Sequence, residues 1–387
     1  IMKRKIKVLV TFIEAGMGHM VTAQAILDAL KLRKDENIEV IKSHILHRTP
    51  LLKKYEKFLV EQTKMASKAK GYSRTQFFFM KVFGPQTSLK FVHSTVYRKQ
   101  RNEYVNELKK INPDIIIDTH YFASHCSCYY RDHYKKRCKV ITYNPDNNVH
   151  GWWDTRVDYF ITNNELASEE AIKVRKFPKE KVKQVFFITR QSLVEDDKSK
   201  EFYREKYNIP KDQFVVKIAD GVYAEAKLEE FVKELVKSNR KMTIIAIAGK
   251  NKKLYEELKV LKVPENIQLL PFEFVQDIHE LFKASDLFIT KAGPNAILDS
   301  VFLRVPILVN YYASTIEKCT KELFVDRLKC GVEIPDKKKA RKFVEGCVDN
   351  PHILDKYIKN EEKLDKNRNG ATEIAEFVSE IANKMQK

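Results

Sequence analysis

The sequence predicts an α/β protein built from two doubly wound parallel-sheet domains. Short apolar runs alternate with helix-length amphipathic segments along most of the 387 residues. This alternation begins twice with a strand and a glycine-containing loop, at residues 6–19 and at residues 214–221. At roughly 150 residues per domain, the length also fits two to three domains.

The composition indicates a folded, strongly basic protein. Hydrophobic residues make up 43% of the chain, and 71 Lys and Arg against 52 Asp and Glu give a net charge of +19. Such a charge indicates an anionic partner, either nucleic acid, anionic lipid or a phosphorylated substrate. Nucleic acid is disfavoured because the sequence carries no zinc-finger, RRM, KH or basic-zipper signature.

The N-terminal segment and the length of the apolar runs limit the cellular locations that the sequence allows. The apolar run at residues 8–13 is too short for a signal peptide, and no run approaches the roughly 18 residues that a membrane span needs. We therefore expect a protein at the cytoplasmic face of a membrane, attached peripherally, without a signal peptide or transmembrane helix.

The six cysteines predict no disulfide framework in a chain of this length. One group of cysteines and histidines invites a metal interpretation: Cys126, Cys128, Cys138, His120, His125 and His133. The Cys-x-Cys spacing fits none of the common structural zinc patterns, so packing or duty in an acceptor pocket is favoured and no metal site is predicted.

The first half of the chain contains strands predicted at residues 6–12, 38–41, 114–118, 140–143 and 158–162. The loop after the first strand ends in Gly18 and His19, before a helix expected at about residues 21–30. His19 has two interpretations. It is either a solvated loop histidine or a general base at the mouth of an interdomain cleft, because the ordinary pKa of histidine is near 6.5.

Candidate acceptor residues follow the later strands of this half. His120 lies directly after the strand at 114–118, where ligand-facing residues of α/β sheets occur. Asp146, His150 and Trp152 share the loop after the strand at 140–143. A turn rich in Asn, Pro, Asp and Gly has the same appearance without any function.

A basic and aromatic insert occupies about residues 50–101. Twelve Lys and Arg between residues 51 and 101 face only Glu56 and Glu61, and Lys53 and Lys54 lie on the polar face of a helical pattern. An aromatic tract that includes Phe77 and Phe78 follows. The pattern indicates contact with anionic lipid, and an ordinary helical hairpin with a solvated lysine face is the alternative.

The second half repeats the alternation, with strands predicted at residues 214–219, 242–248, 267–270, 287–290 and 307–309. Polar residues accumulate near residue 190, so we place the domains at 1–190 and 191–387. A charged helical tail from residue 343 could cross back to the first domain.

The stretch at residues 287–310 reads as strand, tight turn, short helix and strand. Gly293 lets the backbone approach a ligand, and the helix expected at 296–303 offers free N–H groups to an anion. Asp299 lies about three residues into that helix, where a carboxylate could reach sugar hydroxyls. Phosphate beside ribose indicates a nucleotide.

Four separated motifs resemble those of the diacylglycerol glycosyltransferases, a family that includes monogalactosyldiacylglycerol synthase and processive glucosyltransferases and is grouped with the peptidoglycan enzyme MurG. The motifs are Gly16-Met-Gly-His19, Gly249-Lys-Asn-Lys-Lys-Leu254, Phe274-Val-Gln-Asp-Ile278 and Lys291-Ala-Gly-Pro294, the last with an acidic residue five positions further on. They occur in the family's order along nearly the whole chain.

The resemblance implies a GT-B fold and transfer of a hexose, glucose or galactose, from a UDP-sugar to diacylglycerol with inversion. It implies that Phe274 and Val275 face uracil, that Asp299 binds ribose, and that His19, or else Asp146, is the catalytic base. No cofactor or essential metal is expected. The expected donor-binding residues are Gly18, Gly221, Lys250, Asn251, Phe274, Val275, Lys291, Ala292, Gly293, Pro294, Asn295 and Asp299. The insert, with His120, His150 and Trp152, corresponds to the acceptor and membrane side.

The chain departs from the family pattern at three places. Asp299 is one methylene shorter than the usual Glu, residues 219–224 retain one glycine, and residues 311–317 replace a Gly-Gln-Glu turn. Two other functions stay open: a MurG-like transferase with a polyprenyl-diphosphate acceptor, or a catalytically degenerate protein that binds UDP-sugar or lipid.

Overall fold

The structure, a computed structural model, describes residues 4–14, 17–68, 85–189, 193, 195–221 and 227–386. It divides into two compact units. Unit 1 consists of Ile1–Arg190 and Arg368–Lys387, and unit 2 of Gln191–Asn367.

Unit 1 contains a parallel six-stranded sheet of order β2-β1-β3-β4-β5-β6. Its strands are β1 (Ile6–Thr11), β2 (Ile38–Ser43), β3 (Ile115–Asp118), β4 (Lys139–Tyr143), β5 (Tyr159–Thr162) and β6 (Val182–Gln184). The helices are α1 (Met17–Leu32), α2 (Pro50–Lys68), α3 (Pro85–Ser94), α4 (Arg98–Ile111), α5 (Tyr121–Tyr134) and α6 (Glu165–Lys173), with a 3-10 turn at Ile45–His47. Because the strands are parallel, their carboxyl ends share one edge of the sheet.

Alternate residues of β1 enter two different cores, as the two-residue repeat of a strand requires. Val8 and Val10 pack in the cluster that contains residues of α1. Leu9 lies in the opposite cluster, with Leu52 of α2 and Tyr104 of α4. The sheet of unit 1 is therefore covered by helices on both faces.

The last helix of the chain, α15 (Gly370–Gln386), belongs to unit 1. Ile374 and Val378 are fully buried in the same cluster as β1 and α1. Arg33, which follows α1, donates a hydrogen bond from Nε to Oγ of Ser379 at 3.0 Å. The last helix of the chain therefore packs beside α1 on one face of the sheet that contains β1.

Unit 2 contains a second parallel six-stranded sheet, of order β12-β11-β10-β7-β8-β9. Its strands are β7 (Phe214–Ala219), β8 (Met242–Gly249), β9 (Ile267–Glu273), β10 (Leu287–Lys291), β11 (Ile307–Tyr311) and β12 (Gly331–Glu333). The helices are α7 (Lys200–Lys206), α8 (Leu228–Leu235), α9 (Lys252–Lys259), α10 (Ile278–Lys283), α11 (Pro294–Phe302), α12 (Thr315–Lys321), α13 (Lys337–Asp349) and α14 (Asp355–Glu361).

The central strands of unit 2 are buried along their whole length. All six residues of β7 and all eight of β8 are buried, which is typical of parallel strands covered on both faces. At the edge, β12 approaches β11 so closely that a Cβ on Gly331 would lie 1.9 Å from the carbonyl oxygen of Ile307. Only glycine fits there.

These sheets confirm the predicted fold class of two doubly wound parallel domains. Two predicted bounds were wrong. Helix α1 begins at Met17 rather than near residue 21, so Gly18 and His19 lie within its first turn. Helix α11 begins at Pro294 rather than residue 296, so Asp299 lies in its second turn. The helical pattern predicted at the start of the insert is confirmed by α2.

Candidate active site

His19 lies at the carboxyl edge of the unit 1 sheet, in the first turn of α1. Its Nδ1 is 2.5 Å from the carbonyl oxygen of Thr119, the residue that follows β3. The hydroxyl of Thr119 in turn donates to the carbonyl oxygen of His19 at 3.2 Å. These two contacts join the loop after β1 to the loop after β3 and fix the imidazole.

The hydrogen bond to Thr119 also decides the tautomer of His19. A carbonyl oxygen only accepts, so the proton lies on Nδ1 and the lone pair on Nε2. Burial lowers the pKa of His19 below 6.5, although the Thr119 carbonyl opposes this. At neutral pH the side chain is therefore an uncharged base with Nε2 available.

The predicted acceptor residues His120 and His150 lie close to His19 and one another. The rings of His19 and His120 are 4.9 Å apart, and Tyr121 stacks obliquely on His120 at 4.1 Å. Tyr121 also makes an edge contact with His150 at 5.6 Å. Burial lowers the pKa of His120 well below its ordinary value and that of His150 to about 3. The three imidazoles are thus neutral.

The loop after β4 carries the remaining acceptor candidates. Asn144 holds it in shape by donating from Nδ2 to the carbonyl oxygens of Asp146 at 2.9 Å and of Asn148 at 3.0 Å. The partly buried ring of Trp152 lies 5.9 Å from Tyr121. The sequence did not indicate Tyr121, yet its ring contacts His120, His150 and Trp152.

Asp146, the rival base, lies in the same loop and is partly buried. Burial raises the pKa of its carboxyl group to about 7. Asp146 could therefore accept a proton near neutral pH, as His19 could.

A second buried network, absent from the sequence predictions, supports this loop. Nδ1 of His125 lies 3.0 Å from Oδ2 of Asp154, and Arg156 donates to the same carboxylate at 2.6 Å. His93 of α3 stacks on His125 at 3.9 Å, and burial lowers its pKa to about 2. No short-range pattern reveals these contacts, because the residues lie on separate elements.

The cysteines near these histidines serve packing. Cys126, Cys128 and Cys138 are fully buried, and burial raises the pKa of each thiol. Neutral buried thiols behave as small apolar side chains.

In unit 2, Lys291 occupies the carboxyl end of β10. Its backbone N–H donates to Oδ1 of Asp220, which follows β7, at 3.2 Å. Its Nζ forms an ion pair of 3.0 Å with Oε1 of Glu317. Gly221, with a φ of 78°, lies beneath the lysine, and a Cβ there would be 3.2 Å from Cε of Lys291. A charged group thus forms where β7 and β10 end.

Glu317 is held by a capping box at the start of α12. Ser314 Oγ accepts from the N–H of Glu317 at 3.2 Å, while Oε2 of Glu317 accepts from the N–H of Ser314. The Ser-x-x-Glu spacing is a readable signal for this cap. Glu317 ends the segment at residues 311–317 that departs from the family pattern, and Asp220 is a functional candidate that the predictions missed.

The turn before α11 has the predicted form. Gly293 caps the helix with extended backbone, Pro294 starts it, and no side chain of a described residue caps its first N–H groups. A Cβ on Gly293 would meet no atom of the described residues within 4 Å. Asn295 lies in the first turn, and the N–H of Ala292 donates to the carbonyl oxygen of Tyr311 at 3.0 Å. The first turn can therefore accept an anion.

Two further predicted donor regions lie at the ends of β8 and β9. Asn251 caps α9 by accepting from the N–H of Leu254 at 3.1 Å. Lys250 lies 5.6 Å above the ring of Phe274, which is 45% exposed and precedes the half-buried Val275. Asp299, by contrast, is buried, at 4% exposure.

The candidates for membrane contact are only partly described. Lys53 and Lys54 are exposed on α2. Phe77 and Phe78 lie outside the described residues. Among the helices that the structure describes, none combines the length and hydropathy of a membrane span.

Two family models match the chain on either side of residue 200. Monogalactosyldiacylglycerol (MGDG) synthase matches residues 19–185, beginning at His19. The glycosyltransferase family 28 C-terminal domain matches residues 219–318, which contain Asp220, Lys291 and Glu317. The chain is a glycosyltransferase, and its first half is similar to the MGDG synthases.

Curated relatives of this glycosyltransferase agree with that similarity. The processive diacylglycerol beta-glucosyltransferase of Bacillus pumilus is 24% identical over 322 residues, 83% of this chain and 81% of the relative. Monogalactosyldiacylglycerol synthase 2 of Arabidopsis thaliana, a chloroplast protein, is 28% identical over 349 residues, 82% of this chain and 68% of the relative.

Solved structures identify the fold of the glycosyltransferase as GT-B. Acinetobacter baumannii MurG superposes with a TM-score of 0.62 at 10% identity, covering 97% of this chain and 99% of the other. Arabidopsis thaliana UGT89C1 complexed with UDP gives a TM-score of 0.61 at 15% identity, covering 99% of this chain and 100% of the other. At these identities the likeness concerns the fold alone.

Proposed function

We propose that this glycosyltransferase moves a hexose, glucose or galactose, from a UDP-sugar to diacylglycerol at a membrane surface, with inversion at the sugar carbon. The observation that carries the proposal is the match of residues 19–185 to MGDG synthase, which begins at His19. Relatives named as glucosyltransferases and galactolipid synthases leave the sugar open between the two hexoses.

The acceptor side is proposed at the unit 1 edge, because its chemistry suits an uncharged hydroxyl. His19, His120 and His150 all have lowered pKa values and are neutral at pH 7. Neutral imidazoles beside Tyr121 offer hydrogen bonds and apolar surface but no positive charge for a diphosphate. This favours diacylglycerol over a polyprenyl-diphosphate acceptor.

His19 is proposed as the base. Its Nε2 takes the proton of the acceptor hydroxyl while that oxygen bonds to the anomeric carbon of the sugar. The bond from this carbon to the diphosphate oxygen breaks, its electron pair leaves with UDP, and attack from the opposite face inverts the centre. Nδ1–H donates to the Thr119 carbonyl, which stabilises the imidazolium that forms.

The diphosphate is proposed to lie at the carboxyl ends of β7 and β10. Lys291 supplies a cation there, and the uncapped N–H groups at the start of α11 supply further donors. These fixed dipoles would stabilise the charge that develops on the leaving group. Phe274 and Val275 are proposed to contact uracil and Asp299 the ribose, in keeping with the family resemblance. No metal is proposed for the transfer.

The membrane side is proposed on α2, where Lys53 and Lys54 are exposed. Each cation close to an anionic leaflet contributes about 1 kcal/mol. Binding at the lipid surface would bring the acceptor to the unit 1 edge without a membrane-spanning helix.

The test uses purified protein with anionic liposomes that contain diacylglycerol, and UDP-glucose and UDP-galactose supplied separately. We expect glycolipid with one donor, its loss in His19→Ala, and its retention in His352→Ala, a matched change at an exposed histidine of unit 2. Product only with a polyprenyl-diphosphate acceptor would replace the acceptor proposed here. Saturable UDP binding without any product would indicate a catalytically degenerate protein.

A further inference from the structure

Two histidines and two glutamates gather beside the ends of β1 and β2, in a group that the transfer reaction does not use. Glu14 follows β1, His44 follows β2, and His47 ends the 3-10 turn. The imidazole rings of His44 and His47 stack at 3.6 Å. Glu56 of α2 lies beneath them and is buried, at 4% exposure.

Glu56 contacts the Nε2 atom of each of the two imidazoles. Its Oε1 lies 2.7 Å from Nε2 of His44, and its Oε2 lies 2.8 Å from Nε2 of His47. Oε1 also accepts from the N–H of Glu14 at 2.8 Å. An ionised carboxylate only accepts, so each Nε2 carries a proton, and in the neutral imidazole each Nδ1 carries a lone pair.

The Nδ1 atom of His44 lies near a further carboxylate. Nδ1 of His44 is 3.6 Å from Oε1 of Glu14. One ligand atom from each of Glu14, His44 and His47 can be chosen so that all three lie within 4.8 Å of one another. Two ligands of a tetrahedral ion with bonds of about 2.0–2.1 Å are roughly 3.3 Å apart. Small side-chain movements would therefore close this group around one ion.

We propose that Glu14, His44 and His47 bind one divalent transition-metal ion, with Zn²⁺ as the best match, while Glu56 orients the two imidazoles from behind. Two imidazoles and one carboxylate suit zinc, which leaves one coordination position for water. A carboxylate that accepts the second N–H of each metal-binding histidine is the usual outer partner in such sites, and Glu56 serves both.

The ion would tie together three separate segments of unit 1: the end of β1, the turn after β2 and, through Glu56, helix α2. Glu14 lies five residues before His19, so the site would fix the segment that leads into the helix carrying the proposed base. We assign the ion no part in the transfer itself. Metal binding can therefore be tested without knowing the substrates of the glycosyltransferase.

The test measures binding of Zn²⁺ and Co²⁺ to chelator-stripped full-length protein by calorimetry and absorption spectroscopy. We expect one equivalent to bind, with visible Co²⁺ bands and without the near-ultraviolet charge-transfer band of a thiolate ligand. At about a hundredfold excess over Kd, Zn²⁺ should raise Tm by roughly 5 to 10 °C.

Three variants locate the site. Glu14→Gln and His47→Gln, both changes at partly exposed side chains, should each weaken binding at least about tenfold. Glu56→Gln should weaken it by about 10–100-fold with the histidines still present. The matched control is His352→Ala, which removes an exposed histidine 2.9 Å from Asp355 and should change nothing. Circular dichroism establishes that each variant is folded.

Three results would overturn the proposal. One is the absence of binding at micromolar metal by the folded wild-type protein. Another is unchanged affinity in both Glu14→Gln and His47→Gln. The third is a thiolate charge-transfer band, which would place the ion on a cysteine instead.

Discussion

The two units present opposite chemistry at equivalent places, the carboxyl ends of their parallel strands. In unit 1, burial keeps His19, His120 and His150 neutral. In unit 2, Lys291 forms an ion pair with Glu317. The same sheet architecture therefore supplies an uncharged edge that suits a hydroxyl and a charged edge that suits a phosphate. Side chains, rather than the fold, divide the two tasks.

The largest effect is expected at the uncharged edge. His19→Ala should lower kcat about 10²–10⁴-fold, because the acceptor hydroxyl loses its base. The binding of UDP, proposed for unit 2, should stay unchanged. Steady-state kinetics with diacylglycerol liposomes and calorimetry with UDP measure the two quantities, with His352→Ala as the matched control.

The pH profile distinguishes His19 from Asp146. With His19 as base, kcat/KM is constant near pH 7 and falls as the pH drops through a pKa below 6.5, because protonation removes the lone pair on Nε2. With Asp146 as base, the fall is centred near pH 7 and disappears in Asp146→Asn along with the activity. A limb near pH 7 that persists in His19→Ala would assign the base to Asp146.

The next effect concerns the charged edge. Lys291→Met retains the aliphatic stem but removes the cation, so we expect the Kd for UDP to rise about 10–100-fold, the usual range for a charged hydrogen bond. Lys318→Met is the matched control, since Lys318 is exposed and pairs with Glu322 at 3.6 Å. An equal rise in the Kd for UDP in both variants would mean that Lys291 contributes only to the overall positive charge of the protein.

Glu361 is an exception within unit 2, because its carboxyl group is neutral. It is fully buried, and burial raises its pKa to about 9 despite the nearby Arg304. Its two carboxyl oxygens accept no hydrogen bond from any described residue. The folded state holds a proton that the unfolded chain releases near pH 4.5, so the stability contribution is complete below that pH and is lost as pH rises towards 9.

From this we expect the free energy of unfolding to fall by up to about 1.4 kcal/mol between pH 6.5 and 7.5. Glu361→Gln should flatten that slope and stabilise the protein at the higher pH, because the amide cannot ionise. Urea unfolding followed by circular dichroism measures it, and Glu362→Gln, a change at the exposed neighbour, should leave the slope intact. An unchanged slope in Glu361→Gln would contradict the assignment.

The smallest effect concerns the outer surface of unit 1, where charge is abundant although the sheet edge is neutral. Lys53→Gln or Lys54→Gln should each weaken partition onto anionic vesicles about fivefold, corresponding to about 1 kcal/mol. Lys338→Gln, at an exposed lysine on α13, should change partition little. Sedimentation with vesicles of graded anionic lipid gives the measurement, and equal effects at all three positions would remove α2 as the membrane contact.

The sequence predicted most of the strands and much of the turn before α11, because both depend on local signals. Buried parallel strands are continuous apolar runs, and Gly293-Pro294 marks the strand-to-helix turn directly. Strands β6 and β12 were missed since three residues give no pattern. Long-range pairs were missed for a different reason: Lys291 and Glu317 meet only after β10 and β11 have paired.

The histidines illustrate the same limit. Their types and positions after strands were visible, so His120 and His150 could be proposed. Their neutrality depends on burial by Tyr121 and Trp153, and the tautomer of His19 depends on a carbonyl a hundred residues away. Neither the neutrality of the histidines nor the tautomer of His19 can be predicted from a local sequence pattern.

The packing of α15 on the first sheet determines which unit finishes folding last during synthesis. A ribosome releases residues 4–189 first, but Ile374 and Val378, which cover Val8 and Val10, emerge only after all of unit 2. Until then that face of the first sheet is covered by α1 without α15. The first unit to leave the ribosome is thus the last to finish folding, and in the meantime the part of the face that α15 covers is available to chaperones.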